Sequence, residues 1–141
     1  MGIRVATVAD GSRICQLLTQ LGYPGTEGFI DNNLREIVGD PREVALVWEE
    51  GAAVLGFLSM EFSVFPPVRG RFATIKCLVV DDSARSLGIG GKLEAEVTRL
   101  ARERGCDRVV VHCADRRTLA HAFYYRQGYE ESPKYLIKKL L

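Results

Sequence analysis

The sequence lacks long apolar segments, an excess of charge of one sign, and any repeat or low-complexity tract. Its longest apolar stretches, such as residues 77–80 and 109–111, fall far short of the ~20 residues of a transmembrane helix, which argues against a membrane protein. The chain has 19 Lys and Arg against 18 Asp and Glu, which argues against nucleic acid as the main partner. Residues 1–20 lack the continuous apolar core of a secretory signal, so we expect a cytoplasmic protein.

Cysteine is sparse and follows no ligand spacing. Cys15, Cys77, Cys106 and Cys113 form no C-x-x-C pair and lie mostly inside apolar patterns, as is typical of reduced, buried thiols. We therefore expect neither disulfides nor a metal.

The 141 residues, 47% hydrophobic and 26% charged, predict a single globular domain over residues 1–141.

Apolar spacing predicts ten elements in the order β, α, α, β, β, β, α, β, α, β. Thr7 and Asp10 form a capping box before the first helix, Asp115 caps the last helix, and the third helix begins near Gly88. The pattern of residues 44–62, two runs of β-forming residues around a glycine turn, indicates an antiparallel hairpin. The predicted strands cover residues 3–7, 44–48, 53–62, 72–80, 108–112 and 135–140, and the predicted helices end at Gly22, Gly39, Gly105 and Gly128.

A glycine-rich turn between the fourth strand and the third helix is the most informative stretch, LVVDDSARSLGIGGK over residues 78–92. Glycines let backbone N–H groups approach an anion, and a helix N-terminus adds partial positive charge, so this turn can hold a phosphate. A P-loop would need Gly in place of Ser86 and Ser or Thr in place of Leu93, and a dinucleotide-binding fingerprint would need Gly in place of Leu93. Neither motif is present, and a helix start without any ligand is the alternative.

Two motifs resemble those of the GNAT superfamily of N-acetyltransferases. The pattern Arg85-x-x-Gly88-x-Gly90 after an apolar strand resembles its acetyl-CoA signature, and residues 120–129, AHAFYYRQGY, resemble its A-x-x-F-Y-x-x-x-G-F/Y helix and turn. The predicted element order agrees with the family fold over essentially the whole chain. The resemblance implies an α/β (α+β) fold with a mixed, mostly antiparallel central sheet, flanked by helices, in which strands four and five splay apart.

The resemblance also implies where acetyl-CoA binds. Backbone N–H groups of the glycine-rich turn would hold the pyrophosphate, and the end of strand four would pair with the pantetheine arm and donate one N–H group to the thioester oxygen. Arg117 stands near a position where many relatives carry a CoA-contacting asparagine. The cofactor-binding residues implied are Leu78, Val79, Val80, Arg85, Ser86, Leu87, Gly88, Ile89, Gly90, Gly91, Lys92 and Arg117.

Tyr124 matches the family tyrosine that protonates the departing CoA thiolate, and packing on the sheet is its structural alternative. His112 and His121 fit structural or pocket-lining roles better, because neither has an acidic partner in the sequence. Many relatives carry a glutamate as general base on strand four, where this chain has Lys76. A lysine cannot take the proton of an ammonium substrate unless its pKa is much depressed, so the base is left open among Glu61, Glu27 and a chain of waters.

The resemblance implies an acetyl-CoA-dependent N-acetyltransferase in which a primary amine attacks the thioester directly, without a metal or a covalent enzyme intermediate. We expect a small-molecule amine to bind between the two N-terminal helices and the loop of residues 62–70. The alternatives are a non-catalytic acyl-CoA-binding regulatory module and a protein or peptide N-acetyltransferase. Because members of the family are often dimers, the resemblance also implies a homodimer. The acceptor-site candidates, chosen for aromatic or acidic character, are Tyr23, Glu27, Phe29, Trp48 and Phe65.

Overall fold

The computed structural model describes residues 2–112, 118–131 and 136–141. Over these residues the chain forms five strands and four helices in the predicted order. The strands are β1 (Gly2–Val5), β2 (Glu43–Glu50), β3 (Ala53–Ser63), β4 (Arg71–Val80) and β5 (Cys106–Val111). The helices are α1 (Gly11–Leu21), α2 (Ile30–Val38), α3 (Ile89–Glu103) and α4 (Thr118–Arg126), and two 3-10 turns cover Val8–Asp10 and Asp82–Ala84.

The predicted final strand is wrong over residues 136–140, which have no regular secondary structure. Its apolar residues come in pairs around Lys138 and Lys139, so the segment has no single apolar face to place on a sheet. Leu136 and Leu140 are accordingly exposed. Tyr135, Asp115 and Cys113 lie outside the described residues.

Packing divides the chain into two compact units, Met1–Val110 and Val111–Leu141. The first unit contains α1, α2, α3 and a sheet in the order β1-β2-β3-β4-β5, whose last strand runs to the boundary. Strands β1 to β4 are antiparallel and β5 runs parallel to β4, so the predicted mixed, mostly antiparallel sheet is confirmed. Contacts join the beginnings of β4 and β5. The Arg71 N–H donates to the Gly105 carbonyl at 3.3 Å, and the Arg108 guanidinium lies 5.8 Å from the Phe72 ring centre.

Helices α1 and α2 cover one face of the sheet, where Ile14, Leu17 and Leu34 pack with Val47 and Phe57 in one apolar cluster. Helix α3 covers the opposite face. A β-carbon at Gly56 on β3 would lie 3.2 Å from a Leu93 methyl and 3.3 Å from an Ile89 methyl, so glycine permits the helix to approach closely. The alternation of side chains along each strand therefore supplies two separate cores.

Cys15 is buried and Cys77 and Cys106 are half-buried, and these three described cysteines are free thiols. None of the helices in the described part of the chain is both long enough and apolar enough to cross a membrane.

Candidate active site

The connection from β4 to α3 is built around two residues that turn the chain. The Asp81 carboxylate accepts hydrogen bonds from the Ser83 N–H at 2.9 Å and from the Ser83 hydroxyl at 2.6 Å, which fixes the 3-10 turn Asp82–Ala84. Gly88 precedes α3 in the left-handed region, at φ +78°, which only glycine adopts without strain. The sequence puts glycine here because the chain must reverse before the helix begins.

The N-terminus of α3 can receive an anion. Lys92 donates its N–H to the Gly88 carbonyl at 3.2 Å, so the N–H groups of Ile89, Gly90 and Gly91 precede the first helical hydrogen bond. No side chain caps the helix at Gly88, and its first turn carries no acidic residue. Apart from the adjoining residues and the backbone of the helix itself, no atom of the described residues lies within 4 Å of a β-carbon built on Gly88 or Gly91. This arrangement fits the pyrophosphate of CoA.

The other residues of the turn differ in what they can offer. The Leu87 N–H already donates to the Ala84 carbonyl at 3.3 Å. The Lys92 ammonium lies 5.1 Å from the centre of the Trp48 indole ring. Arg85 pairs with the Asp82 carboxylate at 2.6 Å. Ser86 is exposed, whereas the Ile89 side chain is buried, so Ile89 can reach a ligand only through its backbone. Arg117 lies outside the described residues.

Strand β4 carries a β-bulge next to the segment expected to hold the pantetheine arm. Cys77 lies opposite Ser59 and Ile75 opposite Met60, so Lys76 is an extra residue on β4. A bulge bends its strand and re-aims side chains. Beyond it, Leu78 and Val80 lie opposite Leu58 and Gly56, and Val79 packs in the α1 and α2 cluster.

The bulge residue Lys76 joins two glutamates on the α1 and α2 side of the sheet. Glu43 on β2 and Glu61 on β3 are directly paired, an arrangement that destabilises a sheet unless a cation lies between the carboxylates. The Lys76 ammonium lies 3.0 Å from both carboxylate oxygens of Glu43 and 3.6 Å from Glu61. Sequence reasoning proposed Glu61 but missed Glu43, because their pairing depends on strand register.

The electrostatics of this triad keep Lys76 protonated. Partial burial opposes its charge, but the hydrogen bond to Glu43 and the charges of both glutamates outweigh burial, so the pKa of Lys76 is raised. Burial and the neighbouring Glu61 raise the pKa of Glu43, although the contact with Lys76 acts in the opposite direction. The triad has one more negative than positive charge when all three groups are ionised. Lys76 is thus a cation that holds carboxylates in place.

In the second unit, the turn after α4 orders Tyr124. Gly128, at φ +95°, and Tyr129 donate their N–H groups to the Tyr125 and Tyr124 carbonyls at 3.1 Å each, the pattern of a Schellman motif. The motif brings the Tyr129 ring to 5.3 Å from the Tyr124 ring, and Phe123 lies 5.1 Å from it on another side. Tyr124 is buried, whereas Tyr125 is 53% exposed. The trailing glycine of the motif therefore restricts the orientation of the tyrosine before it.

The acceptor-site candidates do not all lie where the sequence analysis placed them. Trp48 on β2 pairs with Gly56 on the α3 face and donates its indole N–H to Glu50 at 3.2 Å, so its expected position beside the N-terminal helices is wrong. Neighbouring side chains of a strand point to opposite faces of the sheet, and on β2 it is Val47, next to Trp48, that faces those helices. Tyr23, Glu27 and Phe29 are exposed on the connection between α1 and α2.

Phe65 lies in the loop between β3 and β4. Its ring centre is 5.2 Å from that of Phe72, which anchors the loop to the beginning of β4. Glu27 lines a groove of about 350 Å³ between α1 and α2 together with Ser12, Thr19 and Asp31. Within the described ranges no three His, Cys, Asp or Glu side chains form a group that could hold a metal ion.

Comparison with solved structures identifies the same fold in several proteins. A transcriptional regulator from Bacillus halodurans C-125 has a TM-score of 0.89 at 24% identity, with 98% of each chain covered. Glucosamine-6-phosphate N-acetyltransferase from Arabidopsis thaliana has a TM-score of 0.81 at 24% identity, over 97% of this chain and 96% of that one. An aminoglycoside antibiotic 6′-N-acetyltransferase from Acinetobacter haemolyticus has a TM-score of 0.83 at 17% identity, over 99% of each chain. At these identities the likeness shows the fold alone.

The mixed sheet agrees with the acetyltransferase fold that the sequence motifs implied. Residues 13–129 match the family model described as "Acetyltransferase (GNAT) family", and the chain belongs to this family. The family resemblance found in the sequence is thereby confirmed. No curated protein sequence matches the chain.

Proposed function

We propose that the protein transfers the acetyl group of acetyl-CoA to the primary amine of a small molecule, by direct attack of the amine on the thioester. The observation that carries this proposal is the uncapped N-terminus of α3 behind the left-handed Gly88, at the end of the bulged strand β4. Membership of the family supports acetyl-CoA as the donor. In this proposal residues 1–141 act as one domain, because the family match runs through both compact units.

The N–H groups of Ile89, Gly90 and Gly91 bind the pyrophosphate, aided by the positive end of the helix. The segment Leu78, Val79 and Val80 pairs with the pantetheine arm, and one of its N–H groups stabilises the negative charge that develops on the thioester oxygen. Tyr124 donates a proton to the departing thiolate. Its burial and its fixed ring orientation support this role, because a general acid has to be held in place.

Glu61 takes the proton of the attacking amine. Lys76 occupies the position where many relatives carry the general base, and its ammonium reaches to 3.6 Å from a Glu61 oxygen, so Glu61 lies within reach of that position from the next strand. Glu43 holds Lys76 through two 3.0 Å contacts and is the more buried glutamate, with a side chain 12% exposed against 36% for Glu61. Glu61 is therefore the carboxylate more open to a substrate, and the surplus negative charge suits an ammonium.

The cofactor turn is tested with Gly90→Val. A valine side chain at the first turn of α3 should keep phosphate oxygens away from the helix N–H groups, and we expect at least a tenfold rise in the Kd of CoA, measured by calorimetry. Ala95→Val is the matched control, because it introduces the same residue, valine, at an exposed position of the same helix. Unchanged CoA affinity in a folded Gly90→Val protein would remove the turn from the proposed site.

Lys76→Met tests the role assigned to the bulge residue. Since Lys76 is a protonated counter-ion and not the base, we expect kcat at pH 8 to stay within about threefold of the wild type. Loss of the ammonium removes the contact that opposes the raised pKa of Glu43, so the pKa of Glu43 should rise further. A kcat about a thousandfold lower at pH 8 would instead identify Lys76 as the base.

A further inference from the structure

Two side chains of α1 bind the beginning of the turn that leads from β4 to α3. Gln20 donates from its amide nitrogen to the Asp81 carboxylate at 3.2 Å and accepts a hydrogen bond from the Asp82 N–H at 2.9 Å. Arg13 donates from Nη2 to the same Asp81 oxygen at 2.5 Å, and its Nε donates to the Val54 carbonyl at 2.8 Å. These contacts connect residues more than 40 positions apart in the sequence.

Asp81 is the centre of this network. One carboxylate oxygen accepts from Arg13 and Gln20, the other accepts from Ser83, and the Asp81 N–H donates to the Leu55 carbonyl at 2.8 Å. The hydrogen bonds from Ser83 and Arg13 hold the pKa of Asp81 well below its usual range, so the carboxylate is ionised at neutral pH. Charge-assisted hydrogen bonds of this kind are stronger than neutral ones.

The network fixes the two residues from which the turn extends. Asp82 has its N–H held by Gln20 and its carboxylate paired with Arg85 at 2.6 Å, and Arg85 begins the family signature that ends at Gly90. The turn itself is largely exposed to solvent, because the side chains of Ser86 and Leu87 are not packed in a core. Within the described part of the chain, the other contacts of the turn are local: the Ala84 N–H donates to the Asp81 carbonyl at 2.9 Å, and the Leu87 N–H donates to the Ala84 carbonyl at 3.3 Å.

We propose that Gln20 and Arg13 are positioning residues for the cofactor, which hold Asp81 and Asp82 so that the N–H groups at the start of α3 are preorganised for the pyrophosphate. This inference rests on the proposed function. A preorganised turn binds more tightly because less conformational entropy is lost when the ligand arrives. A purely structural role explains Gln20 less well, because its side chain is exposed and α1 is already held to the sheet by Leu17, Leu18 and their apolar partners.

Gln20→Ala tests the inference by comparing two acetyl donors. Loss of two hydrogen bonds to the turn should raise the Kd of CoA about five- to tenfold. The kcat/KM for acetyl-CoA should fall by a similar factor, whereas that for acetyl-pantetheine, which lacks the pyrophosphate, should stay within about twofold. Thr19→Ala is the matched control, because Thr19 is the exposed neighbour of Gln20 on the same helix and its hydroxyl donates to the Cys15 carbonyl of that helix at 2.9 Å.

An unchanged Kd of CoA in a folded Gln20→Ala protein, or an equal loss with both donors, would overturn the inference. If the alanine variant fails to fold, Gln20→Glu takes its place, because its charge repels the Asp81 carboxylate while the side-chain length is kept. The same pyrophosphate-specific loss is expected for it, and an equal loss with both donors would again overturn the inference. Failure of the wild type to bind CoA would overturn the proposed function itself, and this inference with it.

Discussion

Tyr124→Phe is expected to lower the single-turnover rate of acetyl transfer by roughly a hundredfold to ten-thousandfold, the range for loss of a general acid. The substitution removes one hydroxyl and little volume, so the ring contacts with Phe123 and Tyr129 should persist. Affinity for CoA should change by less than ~1 kcal/mol, because the phenol meets the sulfur only late in the reaction. Single-turnover rates are the proper measure, since release of product can limit kcat and hide the loss.

Tyr125→Phe is the matched control for this experiment. Tyr125 precedes the same glycine turn but is 53% exposed, so loss of its hydroxyl should leave the rate unchanged. A wild-type single-turnover rate in folded Tyr124→Phe would remove Tyr124 from the reaction and favour water as the acid.

Glu61→Gln should lower the rate at neutral pH by roughly a hundredfold to ten-thousandfold, because glutamine keeps the size of the side chain but cannot take up a proton. Glu61→Asp keeps a carboxylate at this position and should lose less activity than Glu61→Gln, whereas a purely structural effect on the sheet would lower the rate in both variants alike.

Glu27→Gln serves as the comparison, because Glu27 was the other acidic candidate. It lies exposed on the connection between α1 and α2, in the groove that Ser12 and Asp31 also line, so the substitution should change the rate less than about threefold. A large loss in Glu27→Gln together with full activity in Glu61→Gln would reverse the assignment of the base.

Most of the fold could be predicted from local patterns. The periodicity of apolar residues, together with the glycines that end helices, predicted the bounds of every described strand and helix to within a few residues. The glycines from Gly88 onward correctly predicted where α3 begins. The capping box also formed, as the Thr7 N–H donates to the Asp10 carboxylate at 2.8 Å. These features depend on contacts between residues close in the sequence, which is why the sequence displays them.

The features that sequence reasoning missed depend on the register between strands. The β4 bulge at Lys76 decides which side chains share a face, and without it the pairing of Lys76 with Glu43 could not be foreseen. Trp48 was misplaced for a different reason, because it was chosen for its aromatic character alone, whereas its alternation with Val47 along β2 puts it on the other face of the sheet. The contact of Gln20 with Asp81 joins residues that no short motif links.

The central claim is that the protein acetylates small amines with acetyl-CoA, and the direct test incubates the purified wild type with acetyl-CoA and a panel of amines. Amino acids, polyamines, aminosugars, aminoglycosides and peptides form the panel, with free thiol measured by colour and the acetylated product by mass spectrometry. We predict catalytic turnover on at least one small amine, with one equivalent of CoA released for each acetylated amine. Tight binding of acetyl-CoA without release of thiol for any amine, or acetylation of peptides alone, would contradict the claim.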